Sequence, residues 1–336
     1  MKTPFFGLTA ASALLALGCG AGSGSTAGSQ GGSGATNPSG GSSGGGGTAA
    51  PGTGAGGTTP SRGAGGSGGT VPGTGADELV WTTDQFNVDP GQERYICFAK
   101  SIDEALTVDA YSTPGLPFVH HIIFARTRTA APNGFSECGS TFQTSWDPLF
   151  IAGAGASTLQ FPSDAGHVLT KGTQLLAQLH LLNLGQAPVT GAVSIHMHRS
   201  SVTNPRPVNS YIFGTMNIDL PPMQQSQVIS NCAVRDQVNL IAAFPHMHTL
   251  GRAMHFEVGK GTGALSAAFV RDPFDFNDQR IETVAITLAP GDKTRLTCTY
   301  QNPNTTDVKY GESTLNEMCY LIGFAIDHGP MGSCIQ

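Results

Sequence analysis

Short runs in which apolar and polar residues alternate with a period of two fill the chain from residue 79 onward. Pro, Gly, Asn and Asp separate these runs. Such alternation puts every second side chain on one face of an extended segment, which predicts half-buried β-strands. No segment has an apolar stripe at helical spacing with a cap at both ends. The clearest predicted strands are 94–99, 105–110, 118–125, 174–182, 192–197, 238–244, 254–258, 282–288, 294–300 and 320–326.

Many short strands without intervening helices predict an all-β protein built from antiparallel sheets. Residues 79–336 are too many for one ordinary sandwich. We therefore expect two tandem β-sandwich domains of jelly-roll type, at 78–203 and 204–336. The Pro-rich segment 203–208 (TNPRPV) is the predicted boundary between them.

The first 77 residues have a different composition. Residues 20–77 are almost entirely Gly, Ser, Thr, Ala and Pro, with no aromatic residue. They cannot bury enough apolar surface to offset the entropy of ordering, which predicts a disordered tether. Residues 1–19 resemble an export signal, with Lys2 followed by an apolar stretch that ends in the sequence LALGC.

Cysteine usage bears on that signal. The chain has seven cysteines, and an odd number in an exported protein requires an explanation. The LALGC sequence resembles a bacterial lipoprotein cleavage box, which would put a lipid on Cys19 and leave six cysteines for disulfides. The alternative is an ordinary secretory signal with an incidental cysteine. We expect an exported protein, lipid-anchored in the bacterial envelope or at the cell surface, and otherwise secreted.

Charge excludes some partners. A net charge of -6 and a pI of about 5.9, with no basic run, predict neither nucleic-acid binding nor a membrane-surface helix. Only the lipid would bring the chain to a membrane.

Histidines cluster at several places that suit metal binding. His246 and His248 form an H-x-H, whose members share one face of a strand and can reach one ion. Two half-exposed histidines are the commoner outcome for this motif. His120 and His121 are adjacent, so a regular strand would turn them to opposite faces. They can bind one ion only if the strand bulges there.

A second H-x-H, His196 and His198, is predicted to decorate a strand of the first sandwich without a metal role. Met318 is more informative, because it follows Asn316 and Glu317, which are unusual company for a core methionine. A thioether beside imidazoles selects Cu(I) over zinc. Glu317 and Glu312 are interpreted as loop residues rather than as a catalytic acid/base pair.

Four motifs in order resemble the copper type II, ascorbate-dependent monooxygenases, which hydroxylate peptidylglycine and dopamine. They are His120-His121, then Gln178-x-His180, then His246-x-His248-Thr-x-Gly, then Glu317-Met318-Cys319. The resemblance spans residues 79–327. It implies two copper ions per chain and an ascorbate-type electron donor. O2 and a small molecule would be the substrates.

The resemblance also assigns ligands and roles. The first copper would be bound by His120, His121 and His180, and would store and deliver an electron. The second would be bound by His246, His248 and Met318, and would bind O2 where hydroxylation occurs. Gln178 matches a position on the path between the metals. We expect the two pockets to face a shared solvent-filled gap.

Disulfide connectivity follows from the resemblance and not from spacing, since the four cysteines after the predicted boundary permit three pairings. The implied pairs are Cys97–Cys138, Cys298–Cys319 and Cys232–Cys334.

Departures from the family pattern bear on the substrate. Peptide-amidating members carry an arginine at the position of Phe244, and an asparagine and a tyrosine at the positions of Tyr320 and Ile322. The cationic anchor for a carboxylate is therefore missing. We expect a substrate that is not held by a carboxylate. A copper-buffering lipoprotein on the same fold and a disulfide-braced scaffold module are the alternatives.

Overall fold

β-Strands form wherever the period-two alternation predicts them. The structure, a computed structural model, describes residues 77–139, 143 and 145–336. All ten predicted runs overlap strands, three of them begin one or two residues before the observed strand, and the runs 174–182 and 282–288 match the observed bounds. The described residues contain no helix, as the all-β prediction requires, and thus none that could cross a membrane. The predicted signal and tether lie outside the described residues.

Twelve strands lie before the predicted boundary at 203–208. They are β1 Glu78–Thr82, β2 Phe86–Val88, β3 Glu93–Ser101, β4 Leu106–Thr113, β5 Val119–Thr127, β6 Gly134–Glu137, β7 Trp146–Ala152, β8 Ser157–Gln160, β9 Ala165–Leu169, β10 Gln174–Leu182, β11 Val189–Gly191 and β12 Ser194–Arg199.

Eleven strands follow. They are β13 Arg206–Thr215, β14 Asp219–Leu220, β15 Gln224–Ala233, β16 Val238–His246, β17 Gly251–Gly259, β18 Ser266–Arg271, β19 Glu282–Leu288, β20 Lys293–Asn302, β21 Val308–Lys309, β22 Cys319–Ile326 and β23 Gly332–Ile335.

Three large sheets organise these strands. A five-stranded sheet has the order β6-β3-β10-β5-β7, and a four-stranded sheet has the order β15-β20-β17-β18. The third is ten-stranded, with the path β1-β12-β4-β9-β13-β22-β16-β19 and with β8 and β23 at its sides. Nearly all pairings are antiparallel; β13 pairs in parallel with β9 and β23.

Two main hydrophobic cores lie between the sheets. One joins the five-stranded sheet to β1, β4, β9 and β12, and it also receives Phe244, Met318 and Ile322 from the second half. The other lies within the second half, between β13, β16 and β22 and the four-stranded sheet. This arrangement agrees with two sandwiches in tandem.

The predicted boundary at 203–208 is spanned by backbone pairing. Arg206 and Pro207 pair with Ala165 and Gly166, so β13 continues the sheet of the first half. His167 Nε2 donates to the carbonyl oxygen of Val208 at 3.0 Å, and His167 Nδ1 accepts from the Tyr111 hydroxyl at 2.8 Å. The division into domains 78–203 and 204–336 stays a prediction, and one sheet runs across it.

Three disulfides brace the strands. Cys97 pairs with Cys138, Cys232 with Cys334, and Cys298 with Cys319. All three implied pairings are therefore confirmed. The Cys298–Cys319 bridge joins β20 to the start of β22, directly after Met318, which restrains the backbone at that methionine.

Candidate metal centre

Three histidines converge at the ends of β5 and β10. His180 lies opposite His121 in the ladder, and the register then skips His120, so that Leu181 faces Val119. His120 is the extra residue of a β-bulge, which is what adjacent histidines need in order to turn towards one point. One ligand atom from each of His120, His121 and His180 lies within 4.8 Å of the others, and all three residues are buried.

Hydrogen bonds show which ring nitrogens of this first set carry no proton; such nitrogens are called bare below. His180 Nε2 lies 2.8 Å from Glu93 Oε1, and His120 Nε2 lies 3.2 Å from the carbonyl oxygen of Phe276. A carboxylate and a carbonyl only accept, so both Nε2 atoms carry the proton. The Nδ1 atoms are thus left without a proton. His180 Nδ1 faces His121 Nδ1 at 3.4 Å.

Aromatic rings cover the first set. The Tyr95 ring stacks on His180, with centroids 4.2 Å apart and planes 8° apart. The Phe276 ring stacks on His120 at 3.9 Å. These two rings limit the access of water to the imidazoles.

The second set occupies the end of β16. The rings of His246 and His248 are 5.2 Å apart and nearly perpendicular. His246 Nδ1 donates to Gln279 Oε1 at 2.8 Å, and His248 Nδ1 donates to the carbonyl oxygen of Asn316 at 3.1 Å. Both Nε2 atoms are therefore bare, and both are buried without a hydrogen-bond partner.

Met318 is completely buried, directly before the neighbouring strand β22. Tyr320 lies opposite His246 at the end of the ladder, and Met318 and His248 each lie two residues beyond this pair, outside the two strands. Met318 shares a core with Phe244, which lies two residues before His246, on the same side of the sheet. The convergence of Met318 with His246 and His248 on one ion stays a prediction.

The two histidine sets are in contact. The ring centroids of His121 and His246 are 5.1 Å apart, at an angle of 82°. Both residues are at most 2% exposed. The expectation of a solvent-filled gap between two pockets is therefore wrong for this structure, because the two lobes share a core on either side of these rings.

Burial keeps four of these imidazoles, those of His120, His121, His246 and His248, neutral. Desolvation lowers the pKa of His120 to about 3 and that of His248 to about 4. The pKa values of His121 and His246 are also held well below the usual value, chiefly by burial and then by neighbouring histidines. A neutral imidazole is the form that binds a metal ion.

Buried ring nitrogens without a hydrogen-bond partner indicate whether the two histidine sets suit a copper ion. His120 Nδ1, His121 Nε2, His246 Nε2 and His248 Nε2 have no hydrogen-bond partner among the described residues. An orphaned buried polar atom costs roughly 1–3 kcal/mol, and a bound ion is one explanation for it. Imidazoles with a thioether nearby suit copper. The residues present therefore fit the group that the resemblance implies.

Gln178 is fully buried on β10, two residues before His180. Its side-chain amide donates to the carbonyl oxygen of Gly139 at 3.1 Å. The role proposed for it, on the path between the metals, stays a prediction.

The remaining histidines lie elsewhere. His196 and His198 lie on β12, as predicted, and pair with Glu78 at 3.1 Å and Asp109 at 2.6 Å. The three described residues that replace the peptide-binding side chains, Phe244, Tyr320 and Ile322, are all buried in the core shared by the two halves.

Sequence reasoning missed the residues that orient the histidines. Glu93 and Gln279 each accept from a ring nitrogen, and the Phe276 carbonyl does the same. Gln279 is held in turn by its own donation to the carbonyl oxygens of Met247 and Phe276. No spacing signal marks these positions, because they become neighbours of the histidines only through tertiary folding.

Glu317 lies outside the named strands, as the interpretation as a loop residue predicts, and its side chain is completely buried. Its carboxylate accepts from the backbone N–H groups of His248 at 2.9 Å, Leu250 at 2.6 Å and Met318 at 3.3 Å. Burial raises the pKa of Glu317 to about 7, although these hydrogen bonds oppose the shift. The side chain ties the backbone of the H-x-H turn to the backbone of Met318.

Known proteins resemble this chain in part. Residues 211–328 match the sequence profile of the copper type II ascorbate-dependent monooxygenase C-terminal domain. The human protein named "Putative DBH-like monooxygenase protein 2" is 26% identical over 249 residues, or 65% of this chain. The match covers 48% of the human protein, so this chain spans about half of that relative's length.

Solved structures resemble the chain only weakly. The major capsid protein P2 from bacteriophage PM2 is 10% identical, covers 74% of this chain and 97% of the capsid protein, and has a TM-score of 0.32. PNGF-II is 10% identical; the match covers 73% of this chain and 61% of PNGF-II and has a TM-score of 0.30. Nothing about function follows from such scores. The profile match and the human relative both support the copper type II, ascorbate-dependent monooxygenase family for this chain.

Proposed function

We propose that this protein hydroxylates a C–H bond of a small substrate, using O2 and an ascorbate-type reductant. Two copper ions per chain would be held by two ligand sets: His120, His121 and His180 in the first, and His246, His248 and Met318 in the second. When bound, the copper would supply single electrons and activate dioxygen. The observation that supports this most is that two sets of buried imidazoles are in contact and that four of the five have a buried ring nitrogen without a hydrogen-bond partner among the described residues.

The two sets are suited to different tasks. A set made only of imidazoles accommodates both oxidation states of copper, as an electron store requires. A thioether in the second set favours Cu(I), the state that reacts with O2. Three protein ligands at the second set would leave a coordination position for O2. Phe276 and Tyr95 shield the first set from water.

The substrate class follows from what surrounds the second set. Phe244 stacks at 6.1 Å on His246, where amidating members carry an arginine. Tyr320 and Ile322 are buried beside it. An ionised carboxylate would lose its hydration there without gaining a cation. We therefore propose a substrate that is not anchored by a carboxylate.

Copper quantitation and oxygen consumption test the function together. We expect two copper ions per chain and reductant-dependent O2 uptake that matches the amount of hydroxylated product. The matched control is His196→Ala/His198→Ala, which removes an H-x-H outside both sets and should retain both ions. Fewer than two ions in the wild type, or equal copper loss in the control, would contradict the assignment.

A copper-buffering role is the second candidate. It is favoured by the core packing of Phe244, Tyr320 and Ile322, since the face next to His246 offers a substrate few polar groups. Under this alternative both ions still bind. O2 uptake would then never be accompanied by a hydroxylated product across small aromatic and aliphatic compounds.

We also propose that the protein is exported and held at a membrane by a lipid on Cys19. All six other cysteines are paired in disulfides, which suits an oxidising compartment and leaves Cys19 for lipidation. Metabolic labelling with a radioactive fatty acid should mark the wild type but not Cys19→Ser. Equal labelling of both, or none, would refute the lipid.

A further inference from the structure

We infer that Glu93 is a positioning residue for the first histidine set, and that it biases this set towards Cu(II) over Cu(I). The inference rests on the proposed function, because it concerns copper at that set. It adds a residue that the family motifs do not include. Glu93 lies at the start of β3, which pairs with β10.

Geometry makes Glu93 a partner of a single ring. Tyr95 lies opposite His180 in the ladder, and Glu93 is two residues earlier, on the same face. Its Oε1 accepts from His180 Nε2 at 2.8 Å. The Nε2 proton is thereby fixed, and Nδ1 is directed at His121. A carboxylate in this position holds both the tautomer and the orientation of a ligating histidine.

The carboxylate is also tied to the segment that leads to Met318. Glu93 accepts from the Thr314 backbone N–H at 2.9 Å and from the Ser313 and Thr314 hydroxyls at 3.2 Å each. With these donors and His180, its position is fixed from both halves of the protein. Two oxygens that accept from four donors match an ionised carboxylate, so Glu93 presents a negative charge to His180.

A full negative charge one hydrogen bond away from a ligand changes the balance between copper states. It makes the imidazole more electron-rich, which stabilises the doubly charged ion more than the singly charged one. The first set would then have a lower reduction potential. Met318 has the opposite effect at the second set, because thioether sulfur favours Cu(I). Together the two residues set the direction of electron transfer, from the first set to the second.

The test is a redox titration of the copper-loaded protein, followed by the Cu(II) electron paramagnetic resonance signal. Glu93→Gln removes the charge and nearly keeps the shape. We expect Cu(II) affinity at the first set to fall about 10–100-fold. A tenfold loss of the preference for Cu(II) corresponds to a rise of about 59 mV in the potential of one copper. The Cu(II) spectrum of that copper should change, and the other copper should be unaffected.

The matched control is Glu137→Gln. Glu137 is also a carboxylate of the first half, but it is 77% exposed and is paired with Arg94 rather than with a histidine. Its removal should leave both potentials unchanged. Identical potentials and spectra in Glu93→Gln and the wild type would overturn the inference, while two bound copper ions would leave the proposed function intact. A wild type that binds no copper would instead refute the function, and the inference with it.

A second variant covers the case in which Glu93→Gln does not fold. Thr314→Val keeps the carboxylate and removes one of its hydroxyl donors. The carboxylate, with one donor fewer, then accepts more strongly from His180, so the reduction potential of copper at the first set should fall. A rise or no change would overturn the inference.

Discussion

At the scale of single residues, hydrogen bonds set the tautomer and the orientation of the histidine rings in the candidate metal centre. Four of the five histidines have one ring nitrogen held by a protein acceptor, and in the fifth, His121, Nδ1 faces His180 Nδ1 at 3.4 Å. The first set is arranged to bind through Nδ1 of His120 and His180. The second is arranged to bind through Nε2 of both its histidines.

Replacing Met318 by leucine keeps the buried volume and removes the sulfur. We expect the copper content to fall from two to one per chain and hydroxylation to stop, because the second set would lose its thioether while the first set is untouched. A volume-conserving core exchange costs under about 1.5 kcal/mol, so the fold should persist. Copper quantitation checks this. Met254→Leu, equally buried in the second half, is the control; full activity in Met318→Leu would refute the assignment.

Glu317→Gln tests the buried carboxylate. An amide presents only one accepting oxygen, so at least one of the three backbone N–H groups would lose its partner. We expect the free energy of unfolding to drop by roughly 1–3 kcal/mol and copper affinity at the second set to weaken. Denaturant unfolding and a copper titration measure the two effects. An unchanged stability would mean that the carboxylate is not needed for the turn.

At the scale of elements, the segment that follows β18 connects the two sets. Phe276 contacts His120, and Gln279 contacts His246. The Phe276 carbonyl accepts from both His120 and Gln279. The backbone here also lies tightly against the first half, since a Cβ on Gly153 would come within 1.8 Å of the Gln279 carbonyl oxygen.

Gln279→Leu should therefore remove the hydrogen bond that holds the His246 ring in one orientation. Without its acceptor, the ring can adopt either tautomer and turn, and second-sphere changes of this kind typically cost 10–100-fold in metal affinity. We expect the second copper to bind more weakly, as measured by competition with a chelator. The control is Gln237→Leu, on the exposed turn before β16. Equal affinity in both variants would show that Gln279 only fills space.

His167, at the junction of β9 and β13, should make the free energy of unfolding depend on pH. Burial lowers its pKa to about 3, so between pH 3 and 6.5 the unfolded chain binds a proton that the folded one does not. Stability from this residue is present above pH 6.5 and is lost as the pH falls towards 3. The slope approaches about 1.4 kcal/mol per pH unit.

His167→Leu removes that titration. The variant should be less stable than the wild type at pH 7, because Tyr111 loses a partner. The difference should shrink by roughly 1–2 kcal/mol between pH 6.5 and pH 5. Denaturant unfolding at both pH values checks this. A constant difference would mean that His167 is not held neutral.

At the scale of the whole molecule, the centre lies where the two halves share a core and a sheet. Copper bound only by the folded protein should stabilise it by about 2.7 kcal/mol per site at a free concentration of 100 times Kd. Thermal unfolding with and without a chelator measures this. His180→Ala/His248→Ala, which damages both sets, should lose most of the gain. An equal gain in that variant would indicate non-specific binding.

The amino-acid sequence determined the strands, because alternation is a local pattern that each segment carries by itself. It also marked the clustered histidines as candidate ligands, and it predicted a bulge at His120 and His121 if both were to turn towards one ion. The disulfide pairs required the family resemblance.

Tertiary structure alone decided the rest. Glu93, Gln279 and Phe276 contact the histidines only because strands far apart in the chain become neighbours, and no local pattern encodes such contacts. Likewise, the contact between His121 and His246 depends on how the two halves pack on a common core. Chemistry is carried by residue type, which the sequence states directly, whereas orientation and distance depend on packing, which only the folded chain provides.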